Sequence, residues 1–571
     1  MSRIAPQPLL AGFGATLALA LAACCASHDE ATPSVVAPPA VPQAAEPVVQ
    51  HERLQEQAAP AAARAREVRK AMPYAAPMIA PAPLSDGAGF GYRDANREQY
   101  QKIEGNPVQA VAEQPVSTFS IDVDTGAYAN VRRFLNDGSL PPKDAVRLEE
   151  LVNYFPYAYP KPEGDVPFSV ATELATTPWN PETRLLRVAI KAADLSVAEL
   201  PPANLVFLVD VSGSMDRREG LPMVQATLKL LVDQLRPQDR VALVTYAGTS
   251  SVVLESTAGS EKAKIRAAID RLSAGGSTAG ESGIQLAYQE AQKGLLKDGI
   301  NRILLATDGD FNVGISDFET LKQLAADKRK TGVSLTTLGF GAGNYNEQLM
   351  EQLADAGDGN YAYIDNLREA RKVLVDQLSS TLAVVAKDVK IQVEFNPAEV
   401  SEYRLLGYEN RALKREDFAN DKVDAGEIGA GHTVTALYEV VPVGAKGWLE
   451  PLRYARAAGD QGKPGEIAWL RLRYKAPEGG ASKLVERPIA KGEATPIARA
   501  SDDLRFAAAV AAFAQQLRGG QYTGAFSLAD SATLARGARG DDPFGLRGEF
   551  VQLVELAQSL QTPQTVQVRA D

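Results

Sequence analysis

Four largely apolar, strand-like segments occupy the centre of the chain: Leu205-Val206-Phe207-Leu208-Val209, Val241-Ala242-Leu243-Val244-Thr245, Ile303-Leu304-Leu305-Ala306 and Val333-Ser334-Leu335-Thr336-Thr337-Leu338. Short apolar runs of this kind suit strands covered on both faces. Between them the apolar spacing turns helical. Val224, Leu228, Leu231 and Leu235 make one stripe over 223–235, and helices are expected over 261–272, 283–296, 317–329 and 347–356 as well. Strands alternating with helices predict right-handed βαβ units on a mostly parallel sheet. Ser251-Val252-Val253-Leu254-Glu255 follows the second strand so closely that a short antiparallel edge strand is expected. Ligands on such sheets bind beyond the carboxyl ends of the strands.

The flanks read differently. Segments 166–174 and 184–191 precede this core, and 389–395, 404–408, 433–441 and 467–474 follow it, alternating apolar and polar in part. Pro442 closes the third of the later segments, since proline cannot donate to a sheet ladder. Each side alone supplies few strands for a stable sheet, so one β-sandwich built from both sides, with the α/β unit inserted, is expected. Two separate β pieces are the alternative. Helices over 504–517 and 550–560 end the chain and are expected to pack on the sandwich.

The amino terminus carries Arg3 and then an apolar stretch from Leu9 to Ala23. At about 15 residues it is short of the roughly 20 that span a bilayer, and it has the form of a secretory signal. Its end, Leu21-Ala22-Ala23-Cys24, resembles the bacterial lipobox, which implies lipidation of Cys24 and removal of residues 1–23. Cys25 follows instead of the Asp that retains such proteins at the inner membrane in the best-known sorting scheme, which points to the outer membrane. Residues 24–115 are rich in Ala, Pro, Glu and Gln, as in Ala37-Pro38-Pro39-Ala40, and sustain no apolar period. A disordered tether is expected there, because such a segment buries too little apolar surface to offset its ordering entropy.

Composition narrows the chemistry. Of 571 residues, 71 are acidic and 60 basic, a net charge of −11 that disfavours nucleic acid as a partner. The two Cys are adjacent, which excludes a disulfide framework and a Cys-based zinc site. There are three His, and His28 and His51 fall in the tether with only His432 beyond it, so a multi-His metal site is excluded.

At the end of the first strand stands Asp210-Val211-Ser212-Gly213-Ser214, and at the end of the third Asp308-Gly309. Between them a Gly-rich loop carries Gly275-Gly276-Ser277-Thr278. In order and position these segments resemble the metal-ion-dependent adhesion site of von Willebrand factor type A domains. The resemblance implies a Rossmann-like, doubly wound α/β domain over 203–385. It implies one divalent cation, with Ser212, Ser214 and Thr278 binding through hydroxyls and Asp210 and Asp308 largely through water. Hard oxygen donors suit Mg²⁺, the expected ion, with Mn²⁺ and Ca²⁺ as alternatives.

Three lookalikes are set aside. Asp308-Gly309-Asp310-Phe311-Asn312 with Glu319 has partial EF-hand spacing, but Val313 stands where that loop needs Gly. Gly339-Phe340-Gly341-Ala342-Gly343-Asn344 lacks the dinucleotide spacing, so no nucleotide is expected. Asp122-Val123-Asp124-Thr125 is one place short of the aspartyl-phosphate pattern, with Gly126 in its Thr slot, and reads as an Asp-Thr cap for a helix over 128–135.

The stretch 116–200 resembles the von Willebrand-associated amino-terminal region of a family of bacterial secreted or lipid-anchored type A proteins. The end of the chain, from about 498 to 565, resembles their carboxyl-terminal region of unknown function, with a β-rich part over 386–490 between. The implied function is an envelope-anchored module, not an enzyme, that grips an acidic group of an envelope or extracellular protein through the ion. A metal-dependent hydrolase using Asp216 or Glu281 as base, or a scaffold whose metal is only structural, are the alternatives.

Overall fold

The computed structural model describes residues 98–561, apart from 278–279, 310–317, 344, 424, 451, 454–461 and 493. The signal peptide, Cys24, most of the tether, Thr278 and the body of the EF-hand lookalike lie outside the described residues.

The six-stranded central sheet has the order Tyr361–Tyr363, Ser334–Gly339, Ile300–Thr307, Ala203–Asp210, Arg240–Tyr246, Ser250–Ala258. All pairs are parallel except the last, the expected antiparallel edge. Successive residues of the first apolar run go to opposite layers. Leu205, Phe207 and Val209 pack with the helices Leu221–Gln234 and Lys262–Asp270, whereas Val206 and Leu208 pack with Gly280–Lys293 and Glu347–Ala356. A strand covered on both faces has no place for polar alternation.

This domain is inserted into one β-sandwich. The first sheet orders Gln109–Ala110, Val400–Leu406, Thr433–Pro442, Asn180–Ala192 and Phe168–Thr177. In the second, Val384–Phe395 is flanked by Val116–Ser120 and Glu466–Ala476, with Gly479–Ala490 at the edge and Ile428–Gly429 pairing at one end. Period two explains the strand Asn180–Ala192. Leu186, Val188 and Ile190 enter the sandwich core beside Phe119, Val393 and Tyr438, while Leu185 and Ala189 face a layer of helices. That layer combines Gly126–Asn136 and Leu148–Asn153 with Asp502–Leu517, Leu528–Arg536 and Leu546–Gln561, so the closing helices do pack on the sandwich.

Two details depart from the sequence reading. Packed structure begins inside the segment read as tether: Asn106 Nδ2 donates to the carbonyls of Leu405 and Gly407, and Gln109–Ala110 pairs with the Val400–Leu406 strand. Thr125 makes no side-chain cap. Asp124 instead accepts a hydrogen bond from the Tyr361 backbone N–H at 2.8 Å, and Ala127 N–H donates to Glu150. Gly126 is required by proximity, since a Cβ there would lie 2.3 Å from the Tyr361 ring.

The inserted domain is held by buried charge. Glu347, Glu351 and Asp355 lie four residues apart, one stripe along Glu347–Ala356. Arg147 pairs with Glu347 and Glu351 at 3.6 and 3.2 Å. Arg411 pairs with Glu351 and Asp355, and also with Asp122 and Asp124 at 3.1 and 3.2 Å. Arg132, 1% exposed, binds Asp365, Glu369, Glu549 and the Tyr154 hydroxyl, joining the inserted domain to the closing helix. Burial raises the pKa of Asp355 to about 6 and of Glu347 to about 8 against the opposing pull of the arginines. Removing one partner of a buried pair leaves the other uncompensated. Arg411→Met is therefore expected to cost about 3–5 kcal/mol at pH 7.5, with part of the loss recovered at pH 5 as the orphaned carboxyls take up protons. Urea unfolding at the two pH values measures both.

Candidate functional site

The Ala203–Asp210 and Ile300–Thr307 strands are neighbours, so the residues at their carboxyl ends converge. Asp210 and Asp308 are each fully buried and Ser212 nearly so. Asp210 is fixed on three sides. Its Oδ1 accepts from the Ser212 N–H at 2.9 Å, and its Oδ2 accepts from the Thr307 hydroxyl at 2.7 Å and the Tyr246 hydroxyl at 3.4 Å. The Ser212 and Ser214 hydroxyl oxygens are 3.1 Å apart. The Gly-rich loop docks directly on this turn: Gly275 N–H donates to the Val211 carbonyl at 2.7 Å, and Gly213 N–H donates to the Gly276 carbonyl at 3.0 Å. Gly276 has φ +90°, a conformation that L side chains rarely adopt, and here it lets the loop turn against Val211–Gly213.

Four of the five residues singled out by the sequence thus stand at one strand-end site, and the loop that carries the fifth, Thr278, abuts it. Thr278 itself is outside the described residues. The sequence reading did not find Thr307, Tyr246 or Arg217. Arg217 Nη2 donates to Asp308 Oδ2 at 2.8 Å, its Nη1 donates to the Ala342 carbonyl, and its side chain stays 29% exposed at the rim. Its position three residues after Ser214 was the one available signal. The Gly341-Ala342-Gly343 segment forms the tight strand-to-helix turn expected of it, with φ +77° and +91° at its glycines. Of the candidate bases, Asp216 is exposed and Glu281 accepts from Gln285, and neither bonds to a site residue among the described residues.

The donor set fits a divalent cation. Two buried carboxylates and a pair of hydroxyls face one another with only the Arg217 guanidinium as a described cationic partner. Burial, and then the charge of Asp308, pushes the Asp210 pKa up to about 6, against hydrogen bonds from Ser212 and Thr307. A cation between the two carboxylates would favour their ionised forms, and hard oxygen donors select Mg²⁺, Mn²⁺ or Ca²⁺. A second group of acids, Asp122, Asp124 and Asp355, brings ligand atoms within 4.8 Å of one another, but the Arg411 guanidinium already sits among them. This places Asp122 and Asp124 in the domain clamp.

Comparisons with known proteins agree with this architecture. Residues 94–187 match the "von Willebrand factor" family model, 204–377 the "von Willebrand factor type A domain", and 380–560 "Uncharacterized protein YfbK, C-terminal". The Escherichia coli protein YfbK is 52% identical over 468 residues, covering 80% of this chain and 81% of that protein. The Synechocystis protein sll0103 is 35% identical over 188 residues, covering 33% and 43%. A von Willebrand factor type A structure from Catenulispora acidiphila covers 68% of this chain and 89% of its own at 17% identity, with a TM-score of 0.41. Type A domains are often metal-dependent protein-interaction modules and commonly bind a divalent metal.

The raised Asp210 pKa has a defined consequence without metal. A carboxyl whose folded pKa lies above its unfolded value favours the folded state while protonated, and the advantage is lost as pH rises from about 4 through about 6. In EDTA the chain is expected to lose about 3 kcal/mol across that window from this group. Asp210→Asn removes the ionisation, so this variant is expected to show a flatter pH profile and no rise in Tm on adding Mg²⁺ at pH 7.5. Scanning calorimetry with and without EDTA reads both.

Proposed function

Because the chain belongs to the type A domain family that includes Escherichia coli YfbK, we propose that it is an envelope-anchored, metal-dependent protein-binding module that holds an acidic group of a partner protein. The observation that carries this reading is the convergence of Asp210, Ser212, Ser214 and Asp308 at the strand ends, with the Gly275–Gly276 loop docked beside them. Thr278 on that loop completes the proposed donor set. When bound, the ion, Mg²⁺ by preference, supplies an open coordination position for a partner carboxylate.

The chain's own residues do the positioning. Thr307 and Tyr246 hold the Asp210 carboxylate, and the Ser212 N–H fixes its other oxygen. With both Asp210 oxygens engaged, its direct bonding capacity is partly used, which suits a role through bound water. Arg217 reaches in from the exposed rim, pairs with Asp308 and is itself held by the Ala342 carbonyl, so it fixes the second carboxylate. Binding of this kind needs no nucleophile or base, and no nucleophile–base pair is assembled around the site among the described residues. A scaffold with a purely structural ion is the second reading, and it differs in that partner binding survives loss of the metal.

Anchoring rests on the sequence Leu21-Ala22-Ala23-Cys24, which supports lipidation of Cys24, and on Cys25 in place of a retaining Asp, which supports an outer-membrane location. No helix among the described residues is long and apolar enough to cross a membrane. Cys24→Ser is expected to move the protein from the membrane to the soluble fraction of the envelope.

The tagged chain and its Asp210→Ala variant, captured from the native host in Mg²⁺ and eluted with EDTA, test the binding role. A partner released from the wild type by EDTA and missing from the variant is expected. Partners that remain bound under both conditions would replace this reading with the structural-ion scaffold.

A further inference from the structure

A cavity of about 490 Å³ lies away from the strand-end site, where the inserted domain, the sandwich and the closing helices meet. Ligand pockets commonly occupy about 300–1,000 Å³ and favour such junctions between domains. Its walls combine apolar and cationic surface. Phe155, Val373 and Leu546 supply apolar lining, and Phe544, 53% exposed, stands at the edge. Lys191, Arg368, Arg371 and Lys372 also line it, together with His432, the one histidine beyond the tether.

The polar groups facing this space are unequally satisfied. Of the lining acids, Asp124 is held by Arg411 and the Tyr361 N–H, Asp194 by Lys191 and Lys161, and Asp376 faces Arg371 at 3.8 Å. Lys372 is 6% exposed, with Nζ 3.3 Å from Glu369 and 3.5 Å from the centre of the Tyr154 ring. Glu369 also pairs with Arg132, which is bound by Asp365 and Glu549 as well. The His432 imidazole makes no hydrogen bond among the described residues. Burial, and then the ammonium groups of Lys372 and Lys191, push its pKa down to about 4. It is therefore a neutral imidazole at physiological pH, with a donor and an acceptor both unused. The imidazole is half-buried and lines the cavity, so a ligand in that space can reach its unused donor and acceptor.

We propose that this cavity binds a small organic anion with an apolar body, such as an aryl or alkyl carboxylate or sulfonate. Its charged end lies towards Lys372, Lys191 and His432, and its apolar body against Phe155, Val373 and Leu546. An anion there lies beside the Lys372 and Lys191 ammonium groups and gives the imidazole N–H an acceptor. The walls come from segments as distant as Asn153 and Leu546, so an occupant bridges parts of the chain that are otherwise held by ion pairs. By mass action it stabilises their assembled form.

The test uses two fluorescent probes of similar shape, 8-anilinonaphthalene-1-sulfonate and its uncharged analogue N-phenyl-1-naphthylamine. The full chain carries Cys24→Ser, so that no acyl chain offers a rival probe site. One saturable equivalent of the sulfonate is expected, unaffected by EDTA, with the neutral probe at least tenfold weaker. Replacing the two outer cations together, Arg368→Glu with Arg371→Glu, is expected to weaken the sulfonate about fivefold or more and leave the neutral probe unchanged. Lys372→Met is expected to act in the same direction. Should it fail to fold, the outer pair, whose side chains are 61% and 65% exposed, decides alone. Equal affinity for the two probes, several weak equivalents, or a sulfonate affinity indifferent to these charges would overturn the proposal.

Discussion

The structure depends on buried charge compensation between the inserted domain and the shell around it. An isolated arginine or carboxylate buried at that junction would be costly, and the pairs persist because each satisfies the other. The stripe of Glu347, Glu351 and Asp355 carries several acids against two guanidiniums, those of Arg147 and Arg411. Arg132 works the opposite way, one guanidinium gathering carboxylates from Asp365, Glu369 and Glu549. Both arrangements make sense only in the assembled protein, since their members come from separate regions of the chain. The same shell positions the rim of the strand-end site: Glu98, which also binds Arg133, accepts from the Gly343 N–H, next to the carbonyl that anchors Arg217.

Much of the strand layout was legible in the sequence because local periodicity and burial agree. The runs at Leu205 and Ile303 lack polar alternation because helices cover both faces of their sheet, and each ends at the acid or loop that the strand-end site needs. Alternation along Asn180–Ala192 likewise marked a strand between a β core and a helical layer. Gly479–Ala490 was missed since most of its side chains are exposed on a hairpin edge, and Lys483, Glu486 and Arg487 leave little apolar pattern. Tyr361–Tyr363 is too short at three residues to register as a period.

The site was legible by motif and its supports were not. Asp210, Ser212, Ser214 and Asp308 have fixed spacing within two loops, whereas Arg217 is positioned by the Ala342 carbonyl on a third. Thr125 illustrates the reverse error. A local cap was a reasonable reading of Asp-Thr before a helix, yet a distant strand claimed Asp124 through the Tyr361 N–H. Charge clamps escape sequence reading for the same reason: Glu351 and Arg411 are 60 positions apart, and nothing in either neighbourhood names the other.

Insertion also has a mechanical meaning. The α/β domain leaves and rejoins the shell through two chain connections, one after the strand Asn180–Ala192 and one into the strand Val384–Phe395. Both strands belong to the sandwich, one in each sheet. A pull applied at the rim is therefore divided between two covalent paths that end in opposite sheets, with the arginine pairs loaded alongside them. A domain strung in series would bear the same tension through a single linker.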